Sequence, residues 1–321
     1  MSRHMFRIAP LVIALCALPG LSVAADALTP AAVNSAEATA GDAGILRAQV
    51  LLDRALFSPG EIDGGAGSNT TRAIRAFQRN LDLDANGELD APTWQALNAG
   101  APEEVLVEYT IAAEDVAGPF AKLPEDTAAK AGLPALGFES ALELLGEKFH
   151  ASPKLLQQLN PDADFARAGT TIVVPNVAGV AAPGKAAKVV VDKSDSSVAM
   201  LDAAGKVMAL FPASTGSEHD PLPVGEWKIQ GVARDPKFHY NPELFWDAEA
   251  KDEKATLAAG PNNPVGVVWI DLSKPHYGIH GTPEPAKIGK TESHGCIRLT
   301  NWSAKLLSDS VAPGTPAVLQ E

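Results

Sequence analysis

Cysteine is the scarcest informative residue in this chain of 321 residues: there are two, at positions 16 and 296. Cys16 lies in an apolar run, 8–18, that follows Arg3 and Arg7 and leads to the small residues Val23-Ala24-Ala25. That order reads as a secretory signal over 1–25, too short and wrongly flanked for an ordinary membrane span. Removing it leaves Cys296 as the sole thiol. An exported chain with one thiol has no internal disulfide, and the absence of a second cysteine argues against a zinc ribbon or finger. Basic residues are also few, 26 against 39 acidic, for a net charge of -13. No basic cluster is present, so nucleic acid is not an expected partner. Beyond the signal, no segment is long and apolar enough for an integral membrane span.

What is present concentrates in two stretches, Tyr277-Gly278-Ile279-His280-Gly281-Thr282 and Ser293-His294-Gly295-Cys296-Ile297-Arg298-Leu299. A thiol becomes a good nucleophile when it loses its proton, and a neighbouring imidazole can take that proton. His280 is sixteen positions before Cys296, so only the fold can bring the two together. His294 is two positions before it, on the same face if the segment is a strand. Gly295 leaves the backbone beside the thiol bare, which suits an amide directed at a developing oxyanion. Taken from the residues alone, this is a Cys/His acyl transferase or hydrolase. Two other readings use the same residues: a buried structural cysteine with supporting histidines, or a zinc-type ligand set of His276, His280, His294 and Cys296. A thiolate held on a metal could not attack, and the expectation is that there is no metal and no cofactor.

A His-Gly followed by Ser-His-Gly-Cys-x-Arg resembles the L,D-transpeptidase catalytic domain, the YkuD-like family. The Ser214-Thr215-Gly216 and Pro223–Gly225 stretches ahead of a strand fit the same resemblance. It implies Cys296 as nucleophile, His280 as base, and the Gly281 carbonyl as the group that orients the imidazole. It also implies an oxyanion site at the Gly295 and Cys296 amides, with Ser293, His294 and Arg298 in support. The Arg298 fork suits either a substrate carboxylate or a structural ion pair, and Arg298 and Tyr277 are the candidate substrate-binding residues. The implied partners are peptidoglycan stem peptides and glycan strands. The implied function is a cell-wall L,D-transpeptidase that cross-links stem peptides through a thioester, with a β-lactam (carbapenem) adduct expected at Cys296. Water or a wall-linked lipoprotein as acceptor, giving an L,D-carboxypeptidase or a lipoprotein-attaching enzyme, stays open, as does a wall-binding protein without catalysis. The implied location is periplasmic or cell-wall associated.

The expected architecture is multidomain α+β. After a flexible leader, 26–44, the apolar spacing of Ile45, Ala48 and Leu52, then Ile74, Phe77 and Leu81, then Trp94 and Leu97 predicts three helices. Asn69 or Thr70, and Asp90, are the expected caps. Over 45–100 this unit resembles a small peptidoglycan-binding domain, carried by Phe57-Ser58-Pro59-Gly60, Ala76-Phe77-Gln78 and Thr93-Trp94. Residues 104–176 read as strand, helix, helix, strand, a βααβ unit resembling a LysM module but with a long segment, 115–137, interposed. A linker, 177–187, rich in Ala, Gly and Pro, precedes a mainly β catalytic domain, 188–321. Within it, 233–264 is too long for an ordinary connection and is read as an insertion or a lid over the thiol.

Overall fold

The computed structural model describes residues 28–35, 39–101, 104–246, 248 and 253–321. The signal segment, Cys16 included, lies outside the described residues.

Part of the stretch expected as a leader is ordered. Helix α1 (Pro30–Asn34) starts on a Thr29 cap with proline in its first turn, and its Val33 is fully buried. The physical reason is Asn34, whose amide accepts from the backbone N–H groups of Val105 and Leu106 and donates to the Leu106 carbonyl. The side chain thereby serves as a strand partner for β1 (Leu106–Thr110). Three helices follow: α2 (Gly41–Arg54), α3 (Ser68–Asn80) and α4 (Ala91–Ala99). Asp90 caps α4 as expected, accepting from Thr93 N at 2.9 Å. Helix α3 differs: it begins at Ser68, after Gly67, and Asn69 is free to turn outward to another part of the chain.

Strand β1 pairs antiparallel with β2 (Thr171–Pro175), and between them lie α5 (Thr127–Ala131), α6 (Ala141–Lys148) and α7 (Pro153–Leu159). The strand, helix, helix, strand order is therefore observed, with α5 inside the interposed segment. The apolar faces of α2, α3, α4, α6 and α7 and of the β1–β2 pair bury into one cluster extending from Val33 to Val177. The helical and βααβ units thus share a single core.

The remainder forms an eight-stranded mixed sheet. Its strands are β3 (Lys188–Asp192), β4 (Ser197–Leu201), β5 (Val207–Pro212), β6 (Gly225–Arg234), β9 (Val268–Leu272), β10 (Gly278–His280), β11 (Ile297–Arg298) and β12 (Pro316–Gln320), with β7 (Phe238–Tyr240) and β8 (Ala255–Leu257) set apart in the insertion. The order is β11-β10-β9-β6-β12-β3-β4-β5, with β10–β11 and β12–β3 parallel. Alternation of buried and half-exposed valines in β3 is the period-2 pattern that puts one face into the core. The sheet curls until its ends meet: Ser214, just past β5, exchanges backbone hydrogen bonds with Arg298 of β11 at 2.9 and 3.0 Å. Helix α8 (Asn301–Ser310), capped by Thr300, packs behind β9 and β10.

The helical unit is fused to this sheet. Ser58 N donates to the Leu210 carbonyl at 2.9 Å and Leu210 N to the Leu56 carbonyl at 2.8 Å, so 56–58 adds a short parallel strand to β5. A second junction joins all three units. His150, between α6 and α7, sits 2.8 Å from Asp53 Oδ2 of α2 and stacks on Trp302 of α8 at 5.0 Å between centroids.

Candidate functional site

The parallel pairing of β10 with β11 places Ile279 beside Ile297 and His280 beside Arg298. Continuing that register by one residue sets Cys296 opposite Gly278. Cys296 itself lies in the turn just before β11 (Ile297–Arg298), so the turn rather than strand alternation brings it to His280. Both line one cavity of ≈ 860 Å³.

His280 is 5% exposed and stacks on Trp269 at 5.5 Å, nearly parallel. Its Nδ1 lies 2.7 Å from the Gly281 carbonyl. A carbonyl can only accept, so Nδ1 carries the hydrogen and Nε2 of the neutral ring holds a lone pair. Burial lowers the imidazole pKa to about 4; the Gly281 bond pulls the other way, and the Arg298 charge adds to the lowering. Near neutral pH the ring is an unprotonated acceptor. Gly281 itself has no room for a side chain: a Cβ there would lie 2.1 Å from Asn301 Oδ1. That oxygen is committed, accepting from Val267 N and Thr282 N at 3.2 and 3.1 Å. The His-Gly pair is therefore a local requirement of packing against the start of α8.

Cys296 is half-buried, and its Sγ approaches the His276 carbonyl at 3.7 Å. Burial pushes the thiol pKa up, a hydrogen bond from Gly278 N opposes this, and the Asp220 carboxylate pushes the same way as burial. The resting pair is thus a neutral thiol and a neutral imidazole. Residues before Ile297 form a turn, with Gly295 at φ +93°, where a Cβ would come 2.9 Å from the Tyr277 ring. Ser293 Oγ donates to the Cys296 carbonyl at 2.5 Å, and Ser293 N donates to Thr215 O at 2.8 Å, pinning the turn at its start.

The strand argument for His294 fails because 293–296 is a turn. His294 is exposed yet still lines the cavity, with Phe245 and Trp246 at 5.2 and 6.1 Å between ring centroids. Those two aromatics come from the insertion, whose antiparallel arm is β7 (Phe238–Tyr240) with β8 (Ala255–Leu257). Phe238, Leu244 and Phe245 form part of the cavity wall. The interposed segment of the βααβ unit braces this arm from outside: Leu136 N donates to Ala259 O, and Asn262 N to Leu136 O, both at 3.0 Å. Arg298 lines the cavity, and its guanidinium donates to Thr291 Oγ1 and to the Glu292 carbonyl, tying down the same loop. Tyr277 also lines it, beside Gly295. Among the described residues no three His, Cys, Asp or Glu side chains converge as a metal-binding group, so His276, His280, His294 and Cys296 do not assemble into one.

Two groups at the site had no sequence signal. Asn69 looked like a helix cap, yet its Nδ2 donates 2.8 Å to the Ile288 carbonyl in the loop that leads to Cys296. Asp220, which no motif singles out, also lines the cavity. Its place between Ser214-Thr215-Gly216 and Pro223 was the one available hint.

A half-buried thiol and a buried neutral imidazole thus line one cavity of a curled sheet. Residues 186–319 match the L,D-transpeptidase catalytic domain family, YkuD, and residues 42–97 match a putative peptidoglycan binding domain. The putative L,D-transpeptidase YkuD of Bacillus subtilis (strain 168) is 30% identical over 175 residues, which span 54% of this chain and 90% of that protein. Its counterpart in Bacillus licheniformis is 29% identical over 176 residues, with the same coverage of 54% and 90%. A crystal structure of L,D-transpeptidase 3 from Mycobacterium tuberculosis with a faropenem-derived adduct is 18% identical, covering 48% of this chain and 75% of that one, with a TM-score of 0.36. The chain belongs to the YkuD family of L,D-transpeptidases.

Proposed function

We propose that this protein cross-links peptidoglycan stem peptides in the cell envelope through a thioester on Cys296. The observation that carries this reading is the Gly281 carbonyl bound to His280 Nδ1, which leaves Nε2 as the base in the cavity that also holds the thiol. Nε2 takes the Cys296 proton as sulfur attacks the carbonyl of a donor stem peptide. The resting thiol is neutral, so proton removal accompanies attack. The Gly295 and Cys296 amides hold the tetrahedral oxygen. The imidazolium then protonates the leaving D-residue, and an amine from a second stem resolves the thioester. Arg298 and Tyr277 contact the donor, while Ser293 and His294 support the loop. The helical unit, matching a putative peptidoglycan binding domain, holds the enzyme on its polymeric substrate, and the LysM-like βααβ unit extends that glycan-facing surface. Export by the signal over 1–25 would deliver the chain to the periplasm or wall.

Incubation with purified muropeptides and mass analysis of the products tests this. Cross-linked dimers that disappear in Cys296→Ala are expected. Tripeptides without dimers would make the protein an L,D-carboxypeptidase, and no turnover at all would leave a wall-binding protein.

A further inference from the structure

The acylation half of the reaction makes no use of one charged group in the cavity. Asp220 lines it together with Cys296, Tyr277 and His280. Its backbone is fixed by Ser217 Oγ, which accepts from Asp220 N at 3.1 Å. Its Oδ2 is buried and has no hydrogen-bond partner among the described residues. Lys237 and Lys274 belong to the same cavity wall, yet neither forms an ion pair with it. The carboxylate acts on both neighbours: it adds to burial in raising the Cys296 thiol, and to burial and Cys296 in raising the Tyr277 hydroxyl. For forming a thiolate this is the wrong charge. A partly desolvated carboxylate is also costly unless a cation joins it. A group that hinders the first half-reaction and lacks a cation is explained if the second substrate brings one.

We propose that Asp220 is the subsite for the acyl acceptor, binding a primary ammonium that resolves the Cys296 thioester. This deepens the thioester reading above and rests on it. The proton count supports the assignment. The acceptor arrives as R–NH3+ and leaves as an amide N–H, so it loses two protons. The Asp220 carboxylate pairs with the ammonium and passes the first proton to solvent. The free amine attacks the thioester carbonyl, forming C–N as C–S breaks. His280 Nε2 takes the second proton and returns it to sulfur, restoring the neutral thiol. Water carries no positive charge and gains nothing from Asp220, so the carboxylate favours aminolysis over hydrolysis.

The test uses the full-length protein, a donor stem tetrapeptide and glycinamide, an amine with no carboxylate of its own. Two quantities are read by mass: the rate at which Cys296 is acylated, and the ratio of amide product to hydrolysed product. In Asp220→Asn, acylation should quicken, because a negative charge beside the thiol is gone. The product ratio should fall about tenfold, the worth of one modest charge-assisted pair. Asp220→Glu should recover part of the ratio, which separates charge from mere packing. An unchanged ratio in Asp220→Asn overturns the proposal. So does slower acylation in Asp220→Asn, since the carboxylate would then serve the donor step. Amide formation persisting in Cys296→Ala would instead unseat the thioester reading, and the acceptor subsite with it.

Discussion

Asn69 and Ile288 are 219 positions apart in sequence, and Asn69 Nδ2 donates a buried 2.8 Å hydrogen bond to the Ile288 carbonyl. Arg72, one turn further along α3, reaches the neighbouring Gly289 carbonyl at 3.3 Å. Ser214 Oγ holds the same loop from the other side, accepting from Gly289 N at 3.1 Å. The loop that ends in Ser293 and Cys296 is therefore set partly by the helical unit.

Replacing Asn69 with Ala should leave the Ile288 carbonyl buried and unpaired, a loss of about 1–3 kcal/mol. Part of that should appear as a lower melting temperature. The rest should appear as slower acylation of Cys296 by a carbapenem, with alkylation by iodoacetamide much less affected, because alkylation needs no ordered oxyanion site. Both rates are read by intact mass. Equal acylation rates in Asn69→Ala and the parent would show that the loop holds its shape alone.

The nucleophile and base are tested by the same adduct. One carbapenem should add per chain, none in Cys296→Ala. His280→Ala should acylate about a hundred- to ten-thousand-fold more slowly, the usual worth of a general base. Rapid acylation of that variant at neutral pH would move the base to another residue.

The pH profile follows from burial of the imidazole. A base must be unprotonated, and His280 stays so down to about pH 4. The acid limb of the acylation profile is therefore expected near pH 4, well below the ordinary histidine range. On the alkaline side the rate should climb late, because the thiol pKa is raised. An acid limb centred near pH 6.5 would mean that the imidazole is solvated during the reaction.

Glu147 gives a prediction of opposite sign for stability. Burial raises its carboxyl pKa to about 7, against the lowering influence of Lys305, Asn301 and His150. The folded chain thus keeps a proton that the unfolded chain releases at the ordinary carboxylate value. The native state binds more protons across that window, so stability is full at low pH and falls as pH rises through 7. Glu147→Gln, which stays neutral, should exceed the parent by about 1–2 kcal/mol at pH 8 and match it near pH 4. Denaturant melts at the two pH values measure this, and a constant difference would assign the effect to packing.

The readable parts of the sequence were those with local causes. Asp90 caps α4 through its own nearby amide, so that helix start is visible without a fold. Cys296 and His280 announced themselves through their glycine neighbours, and Gly281 and Gly295 turn out to be fixed by Asn301 and Tyr277. The unreadable parts were those whose partner is far away. Nothing in the apolar spacing of α2 or α7 says that the two faces meet in one core. Asn69 carries the residue type of a cap, and only the position of Ile288 reveals its other use. His294 lines the cavity as its sequence neighbourhood suggests, but from a turn rather than from a strand.

The short strand at 56–58 has a further consequence for β5. A strand at the end of a sheet offers a row of unpaired amides and carbonyls, a template for pairing with any passing chain. Here the Leu210 amide and carbonyl are both taken, by Leu56 and by Ser58. The segment that does this is made some 150 residues before the strand it covers, on the order of ten seconds of synthesis. The helical unit is therefore a ready-made stopper, in place before the sticky edge exists. A chain trimmed to the catalytic sheet would present that edge bare, and self-association through β5 is the fate its geometry prescribes.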